Sequence, residues 1–251
     1  MSHFNFYFSP TGGTKRVADA VAEGWGGDFI PVDLMDHPFQ KWYMEEDVCL
    51  FAVPVYSGRV PAPAVEHIRE LVGNGALAIA VTVFGNRAVD DALVELYDEL
   101  QKVGFRCLGA VEAVAQHSIL PKFGTGRPDQ GDREELRGFG AKLRQAAESG
   151  SFTGELDLPG NRPYKKLKNV PMKPVAVNCC IACGRCGNEC PTGAIHMNDM
   201  KRTDVVKCIT CMHCVVICPA HVRSLSSISV FAATQIMKKS CQGRKPNKLY
   251  L

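Results

Sequence analysis

The sequence predicts a doubly wound α/β domain with a five-stranded parallel sheet, followed by a small cysteine-rich α+β domain. Two observations support this division. Up to residue 150, short apolar runs alternate with amphipathic helical patterns, whereas ten of the 12 cysteines lie between Cys179 and Cys241. Apolar strands that alternate with amphipathic helices are typical of a parallel sheet covered on both faces.

The first domain, residues 1–150, contains five predicted strands and four predicted helices. The apolar runs predict strands over His3–Phe8, Phe29–Leu34, Val48–Val55, Leu77–Phe84 and Phe105–Val114. Helical periodicity predicts helices over Lys15–Trp25, Pro63–Val72, Asp90–Val103 and Arg133–Ala147. In the strand order 2-1-3-4-5, the loops after strands 1, 3 and 4 converge on one crevice at the carboxyl ends of the strands.

The rest of the chain divides into three parts. Residues 151–171 are rich in proline and lysine and are interpreted as an extended linker. Residues 172–224 contain a cysteine repeat. Residues 225–251 contain a predicted helix, Leu225–Met237, and a tail that is either exposed or docked. We expect one face of this helix to pack against the protein, namely Leu225, Ile228, Ala232 and Ile236.

Charge is distributed unevenly between the two parts of the chain. Residues 1–150 carry 14 basic and 21 acidic side chains, or −7, whereas residues 151–251 carry 15 and 5, or +10. A basic segment raises the possibility of nucleic-acid or membrane-surface binding, but no nucleic-acid recognition fold is visible. Residues 1–8 show no basic region followed by a long apolar run, so we expect no signal peptide, and the longest apolar stretch is too short to span a bilayer. We expect a cytoplasmic protein that neither binds nucleic acid nor spans a membrane.

The cysteines of residues 172–224 form an internal repeat. Cys-x2-Cys-x2-Cys-x3-Cys-Pro occurs over residues 180–191 and again over residues 208–219. This is the bacterial ferredoxin pattern, in which the fourth cysteine of each run binds the cluster of the other run. The pattern predicts one [4Fe–4S] cluster on Cys180, Cys183, Cys186 and Cys218, and a second on Cys190, Cys208, Cys211 and Cys214.

Zinc sites and disulfides are the alternatives for these cysteines. Zinc prefers paired Cys-x2-Cys knuckles with a long gap between them, and a disulfide framework suits a small secreted chain. Cys179 is interpreted as a packed neighbour that could replace Cys180 if the register slips, and Cys241 as a plain thiol. The two runs resemble the halves of a two-cluster bacterial ferredoxin over about residues 172–224. Residues 220–222, Ala-His-Val, depart from the usual turn of that family.

Three loops of the first domain together predict a flavin mononucleotide (FMN) site. The loop FSPTGGTKRVA, residues 8–18, offers hydroxyls and closely approaching backbone amides to a phosphate at a helix N-terminus. The loops at residues 54–61 and 84–87 offer aromatic rings for stacking and backbone amides for ring heteroatoms. An ordinary turn is an equal alternative for the first loop alone, and Tyr56 and Phe84 could instead be packed core residues.

The first domain resembles a short-chain flavodoxin over about residues 1–148, through its Ser-x-Thr-Gly-x-Thr loop. The resemblance implies FMN binding by Ser9, Thr11, Gly12, Gly13, Thr14, Tyr56, Ser57, Gly58, Phe84, Gly85, Asn86 and Arg87. The whole chain resembles a family in which such a domain is fused to a two-cluster ferredoxin, with its GNR and GRPD loops at residues 85–87 and 126–129. His117 and Arg127 are further candidates for flavin or partner contact, with a plain surface role as an equal alternative.

These features predict an electron carrier that relays low-potential electrons between FMN, two [4Fe–4S] clusters and partner redox proteins, as in anaerobic metabolism. The alternative is an FMN-dependent reductase of a small molecule such as a quinone, fed through the clusters. No paired acid–base residues favour that reductase, although His117 and Tyr56 are conceivable proton donors. A redox sensor and a homo-oligomer both remain open.

Overall fold

The computed structural model describes residues 1–36, 39–150, 152, 155–177 and 179–251. The start of the predicted linker, at residues 151, 153 and 154, lies outside the described residues. The described residues contain eight strands and seven helices. The five predicted strands and four predicted helices of the first domain are all present. In chain order the elements are β1 His3–Tyr7, α1 Gly13–Trp25, β2 Phe29–Asp33, β3 Val48–Pro54, α2 Ala62–Ile68, β4 Leu77–Phe84, α3 Ala92–Lys102, β5 Arg106–Val114, α4 Gln130–Ser149, β6 Val175–Ala176, α5 Arg185–Asn188, α6 His213–Val216, β7 Arg223–Ser224, α7 Ser227–Met237 and β8 Lys248–Tyr250.

The main sheet has the predicted order with one addition. Within the described residues its order is β2-β1-β3-β4-β5-β8, and the first five strands are parallel. The order 2-1-3-4-5 is that of a flavodoxin-like doubly wound domain. The sixth strand, β8, pairs antiparallel with β5 at the edge of the sheet. The predicted five-stranded sheet is therefore extended by the last residues of the chain.

Apolar side chains fill both faces of this sheet. One face packs against α2 and α3, with Phe6, Phe51 and Leu93 at its centre. The other face packs against α1 and α4. Gly140 of α4 lies so close to α1 that a Cβ there would clash with the carbonyl of Val21. Helices therefore cover both faces of the sheet, and the loops after the parallel strands lie at one edge of it.

The cysteine repeat folds into a smaller unit with little regular structure. Its two-stranded sheet pairs β6 with β7, and each cysteine run contains one short helix, α5 or α6. The equivalent positions Gly184 and Met212 precede these helices, and both have a positive φ. The repeat in sequence is therefore also a repeat in local conformation.

The face by which α7 packs differs from the predicted one. Ile228, Ala232 and Ile236 are exposed, and Ile228 is 80% accessible. The helix instead packs through Val230, Ala233 and Met237 against a small apolar cluster that contains Leu120, Phe123 and Cys241. The helix is apolar on nearly every side, so periodicity alone did not select the correct face.

Candidate functional site

A cavity of about 430 Å³ opens at the carboxyl ends of the strands in the main sheet. The loops after β1, β3, β4 and β5 all contribute to its lining, as the strand order predicts. Nine of the twelve residues predicted to bind FMN line this cavity: Thr11, Gly13, Thr14, Tyr56, Ser57, Gly58, Phe84, Gly85 and Arg87.

The other three predicted residues have different places. Ser9 accepts a hydrogen bond at its Oγ from the backbone N–H of Lys15, at 2.9 Å, and so supports the first turn of α1. Gly12 adopts a left-handed conformation at the start of that helix. Asn86 is buried, and its side-chain amide donates to the carbonyls of Cys241 and Gly243, at 2.8 Å each. Asn86 therefore holds the end of the chain and does not face the cavity.

The loop after β3 turns sharply beneath the cavity. Tyr56 and Arg59 exchange backbone hydrogen bonds of 3.0 and 3.1 Å, and Ser57 and Gly58 between them both have a positive φ. A Cβ on Gly58 would clash with the side chain of Asp90, so glycine is required there. Burial raises the pKa of the Tyr56 phenol well above its usual value, so this ring is neutral at physiological pH.

His117 lies on the loop after β5 and faces the cavity. A Cβ on Gly85 would lie 2.7 Å from its ring, so the glycine makes room for the imidazole. Its Nδ1 accepts hydrogen bonds from the N–H groups of Ile119 and Leu120, at 3.2 and 3.3 Å. Burial, with a smaller contribution from the charge of Arg87, lowers the pKa of His117 to about 4. The imidazole is therefore neutral at pH 7.

Arg127, the second candidate in this region, has a structural place. It is buried, and it forms an ion pair with Asp132, at 2.5 Å. Its guanidinium also donates to the carbonyl of Lys245, at 2.6 Å. Arg127 therefore fastens the end of the chain to α4, away from the cavity.

The second half of the chain closes the large cavity, a feature that the sequence did not indicate. Lining residues come from residues 167–172, from residues 206–210 and from α7: Leu167, Lys168, Asn169, Val170, Met172, Val206, Cys208, Ile209, Thr210 and Met237. No motif marks these positions, because they reach the cavity only through tertiary packing. Ile209 also packs against the core of the first half.

Hydrogen bonds and ion pairs fix the linker beside the cavity. Lys165 pairs with Asp90, at 2.8 Å, and its backbone N–H donates to Asp91, at 2.7 Å. Arg59 donates to the carbonyl of Lys165, at 2.6 Å, and Ser57 to that of Lys168, at 3.0 Å. The acidic first half thus attracts the basic linker directly.

Eight cysteines surround two small cavities in the second half. Cys180, Cys183, Cys186 and Cys218 line one, and Cys190, Cys208, Cys211 and Cys214 line the other. Each cavity of about 20 Å³ takes three cysteines from one run and the fourth from the other run. Cys179 directly precedes Cys180 in the sequence, but it is exposed and does not line the first cavity. Cys241 is buried elsewhere, against Leu120 and Phe123.

The two crossing cysteines, Cys190 and Cys218, receive backbone hydrogen bonds. The N–H of Ala194 donates to the sulfur of Cys190, at 3.3 Å. Burial acts to raise the pKa of Cys218, but N–H groups of the following residues outweigh it and lower that pKa. Such hydrogen bonds favour the thiolate, which is the form that binds metal.

The second cysteine cavity adjoins the large cavity directly. Cys208, Ile209 and Thr210 line both of them. Next to Cys214, the imidazole Nδ1 of His213 lies 2.9 Å from the carbonyl oxygen of Pro10, which belongs to the loop after β1. The first cysteine cavity shares no lining residue with the large cavity. Of the two cysteine cavities, the one lined by Cys208 is therefore the one that adjoins the large cavity.

Comparison with solved structures finds similarity over the first half of the chain. Flavodoxin 1 from Bacillus cereus is 16% identical, with a TM-score of 0.42, over 58% of this chain and 98% of that one. Rubredoxin oxygen:oxidoreductase from Desulfovibrio gigas is 15% identical, with a TM-score of 0.42, over 59% of this chain and 36% of that one. No family model matches the chain.

A curated relative matches a shorter stretch. This relative, a component of the ion-translocating oxidoreductase complex of Methanosarcina acetivorans, is 42% identical over 59 residues, which are 23% of this chain and 22% of that protein. The chain therefore spans less than a quarter of the length of this relative. In the described part of the chain, no helix combines the length and apolar character needed to cross a membrane.

Proposed function

We propose that this chain is an electron-transfer protein that relays low-potential electrons between FMN, two [4Fe–4S] clusters and partner redox proteins. The segment Cys208–Thr210 carries the proposal, because it lines both the large cavity and one cysteine cavity. Groups bound in these two cavities would be separated by one short stretch of protein. When bound, FMN exchanges one or two electrons and each cluster exchanges one.

The large cavity suits FMN in both size and lining. Its volume of about 430 Å³ is within the range of small-molecule pockets. The N-terminal end of α1, with Thr11, Gly13 and Thr14, would hold the phosphate, since the first turn of a helix leaves backbone N–H groups unpaired. Tyr56 and the apolar side chains of the second half would contact the planar ring.

The two cysteine cavities suit [4Fe–4S] clusters. Four thiols around one cavity supply the ligand set of a cubane, and the exchange of the fourth cysteine between runs follows the bacterial ferredoxin pattern. The curated relative is part of an oxidoreductase complex, which supports a redox role at a coarse level.

The residues shared by the large cavity and the second cysteine cavity suggest the order of the relay. The cluster on Cys190, Cys208, Cys211 and Cys214 would exchange electrons with the flavin. The other cluster would exchange electrons with partner proteins, because Ile181 and Cys183 beside it are exposed. We therefore propose an electron carrier and not a stand-alone catalyst.

Metal analysis and electron-transfer kinetics test the proposal. Chain purified without oxygen should contain about eight iron atoms, about eight sulfides and about one FMN, as two cubanes and one flavin require. A Cys211→Ser variant should slow the reduction of the flavin by a protein donor at least about tenfold. The control is Cys179→Ser, which removes an exposed thiol from the same region and should retain both clusters. Zinc in place of iron, or flavin reduction as fast in Cys211→Ser as in the control, would contradict the relay.

A small-molecule reductase is the second candidate, favoured by the position of His117 and Tyr56 on the cavity. Such an enzyme needs space beside the bound flavin, whereas the linker and residues 206–210 occupy that side. Steady-state assays with a quinone separate the two functions. Rapid quinone turnover without electron exchange with a ferredoxin-type protein would favour the reductase.

A further inference from the structure

Arg223 is a buried cation between the two cysteine cavities. It belongs to β7, shortly after the second cysteine run, and only 3% of its surface is accessible. Its Nη1 donates to the carbonyl of Met200, at 2.5 Å, and lies 3.9 Å from the sulfur of Cys186. Its Nη2 donates to the carbonyl of Pro174, at 2.9 Å, and to the hydroxyl of Thr203, at 2.6 Å. These bonds fix the guanidinium in one orientation.

No carboxylate within the described residues neutralises this charge. Arg223 has no acidic partner within 4.0 Å among them, and its Nε is buried with no hydrogen-bond partner there. A buried unpaired cation costs several kcal/mol, so it requires a counter-charge. The negative groups that the site itself offers are the thiolates of the cysteines.

Arg223 lies close to both groups of cysteines. It lines the cavity of Cys186, its Nη1 lies 3.9 Å from the sulfur of Cys186, and Cys186 packs in one buried cluster with Cys214 of the other group. A cluster with four thiolates is negatively charged, and each electron that it accepts makes it more negative. A fixed positive charge in a low-dielectric interior favours the reduced form.

We propose that Arg223 is a shared counter-charge that raises the reduction potentials of both clusters. This inference rests on the proposed function, because it assumes that the two cavities hold [4Fe–4S] clusters. The effect should be larger at the cluster of Cys180, Cys183, Cys186 and Cys218, whose cavity Arg223 lines. The residue thereby adjusts how readily electrons pass from one cluster to the other.

Redox titrations followed by electron paramagnetic resonance test this role in the full chain. In Arg223→Gln, both midpoint potentials should become more negative, and the larger shift should occur at the cluster that Cys183 binds. A Cys183→Ser variant identifies the spectrum of that cluster, because the substitution alters it. Arg223→Lys should retain most of the wild-type potentials because it keeps the charge. The matched control is Arg202→Gln, which removes the same charge from a side chain that is 90% exposed, and its potentials should not change.

A second variant covers the case in which Arg223→Gln fails to assemble its clusters. Thr203→Asp would place a carboxylate beside Nη2 and should lower both potentials, whereas Thr203→Asn should not. Unchanged potentials in Arg223→Gln with its full iron content, or in Thr203→Asp, would overturn the inference. A wild-type chain without about eight iron atoms would instead contradict the proposed function.

Discussion

Each half of this chain is stabilised by a different kind of interaction. The largest fully buried side chains, among them Tyr43, Phe51 and Leu100, all belong to the first half. In residues 172–224, by contrast, four of the few buried side chains are cysteines of the two cavities. A small unit with so few buried apolar side chains usually needs disulfides, bound metal or a partner in order to fold. The first half is therefore stabilised by its apolar core, and we expect the second half to depend on groups bound by its cysteines.

Iron removal should have the largest effect, and the loss of folded structure should be confined to the cysteine unit. After treatment with a chelator and an oxidant, amides in residues 179–218 should lose their protection from hydrogen exchange, whereas those of β3 and β4 should keep theirs. Because residues 206–210 line the large cavity, the affinity for FMN should fall about tenfold or more, or ~1.4 kcal/mol. Mass spectrometry of exchanged amides and a flavin fluorescence titration measure both effects. If the amides around Cys208 kept their protection in iron-free protein, the expected dependence of the second half on bound groups would be wrong.

Loss of one buried ion pair should test the core of the first half. Arg59 and Glu95 pair at 2.6 Å, and the carboxylate is nearly inaccessible. Arg59→Ala would leave Glu95 buried and unpaired, which should lower the free energy of unfolding by about 3–5 kcal/mol. Denaturant unfolding followed by circular dichroism measures the change. Arg137→Ala breaks an exposed pair with Glu23 and should cost less than about 1 kcal/mol. Equal losses in the two variants would contradict this expectation.

His117 should make the first half sensitive to acid. Its pKa in the folded chain is about 4, below the ordinary value of 6.5, so the unfolded chain binds the proton more readily. The stabilisation is complete above pH 6.5 and is lost as the pH falls towards 4, at up to about 1.4 kcal/mol per pH unit. His117→Gln should reduce the loss of unfolding free energy between pH 6.5 and pH 5, whereas the exposed His196→Gln should not. The same dependence of the unfolding free energy on pH in both variants would show that His117 does not cause the sensitivity to acid.

The smallest effect is expected on the exposed face of α7. Ile228→Ser should change the free energy of unfolding by less than about 0.5 kcal/mol, because the side chain is largely in solvent. Val230→Ser should cost about 1 kcal/mol, because Val230 packs beside Leu120 and Phe123. Thermal unfolding of the two variants measures both losses and so distinguishes the packed face of α7 from its exposed face. A larger loss in Ile228→Ser would show that the face containing Ile228 is covered.

Prediction from sequence succeeded where local pattern determines structure. The parallel strands of the first half follow from apolar runs and intervening helices, and the cysteine spacing predicted which four cysteines share each cavity. Their binding of iron remains a prediction. The sixth strand could not be predicted, because the last residues of the chain have no strong strand pattern and depend on the open edge of β5.

The composition of the large cavity was predicted only in part. The loops after β1, β3 and β4 were found because topology brings their ends together. Leu167 and Ile209 were missed because no periodicity or motif indicates which surface a linker will cover. Asn86 was assigned to the flavin on a resemblance, whereas its buried amide binds the carbonyls of Cys241 and Gly243.

The antiparallel strand β8 also has a mechanical consequence. Asn247 accepts a hydrogen bond from the N–H of Val114, at 2.9 Å, and Tyr250 donates to Glu112, at 2.8 Å. The cysteine unit is therefore attached to the first half at two points, by the linker before it and by β8 after it. A unit held at both ends cannot swing away as a domain on a single tether does. Its distance from the large cavity is built into the fold, and electron exchange between the two would not wait for a domain to dock.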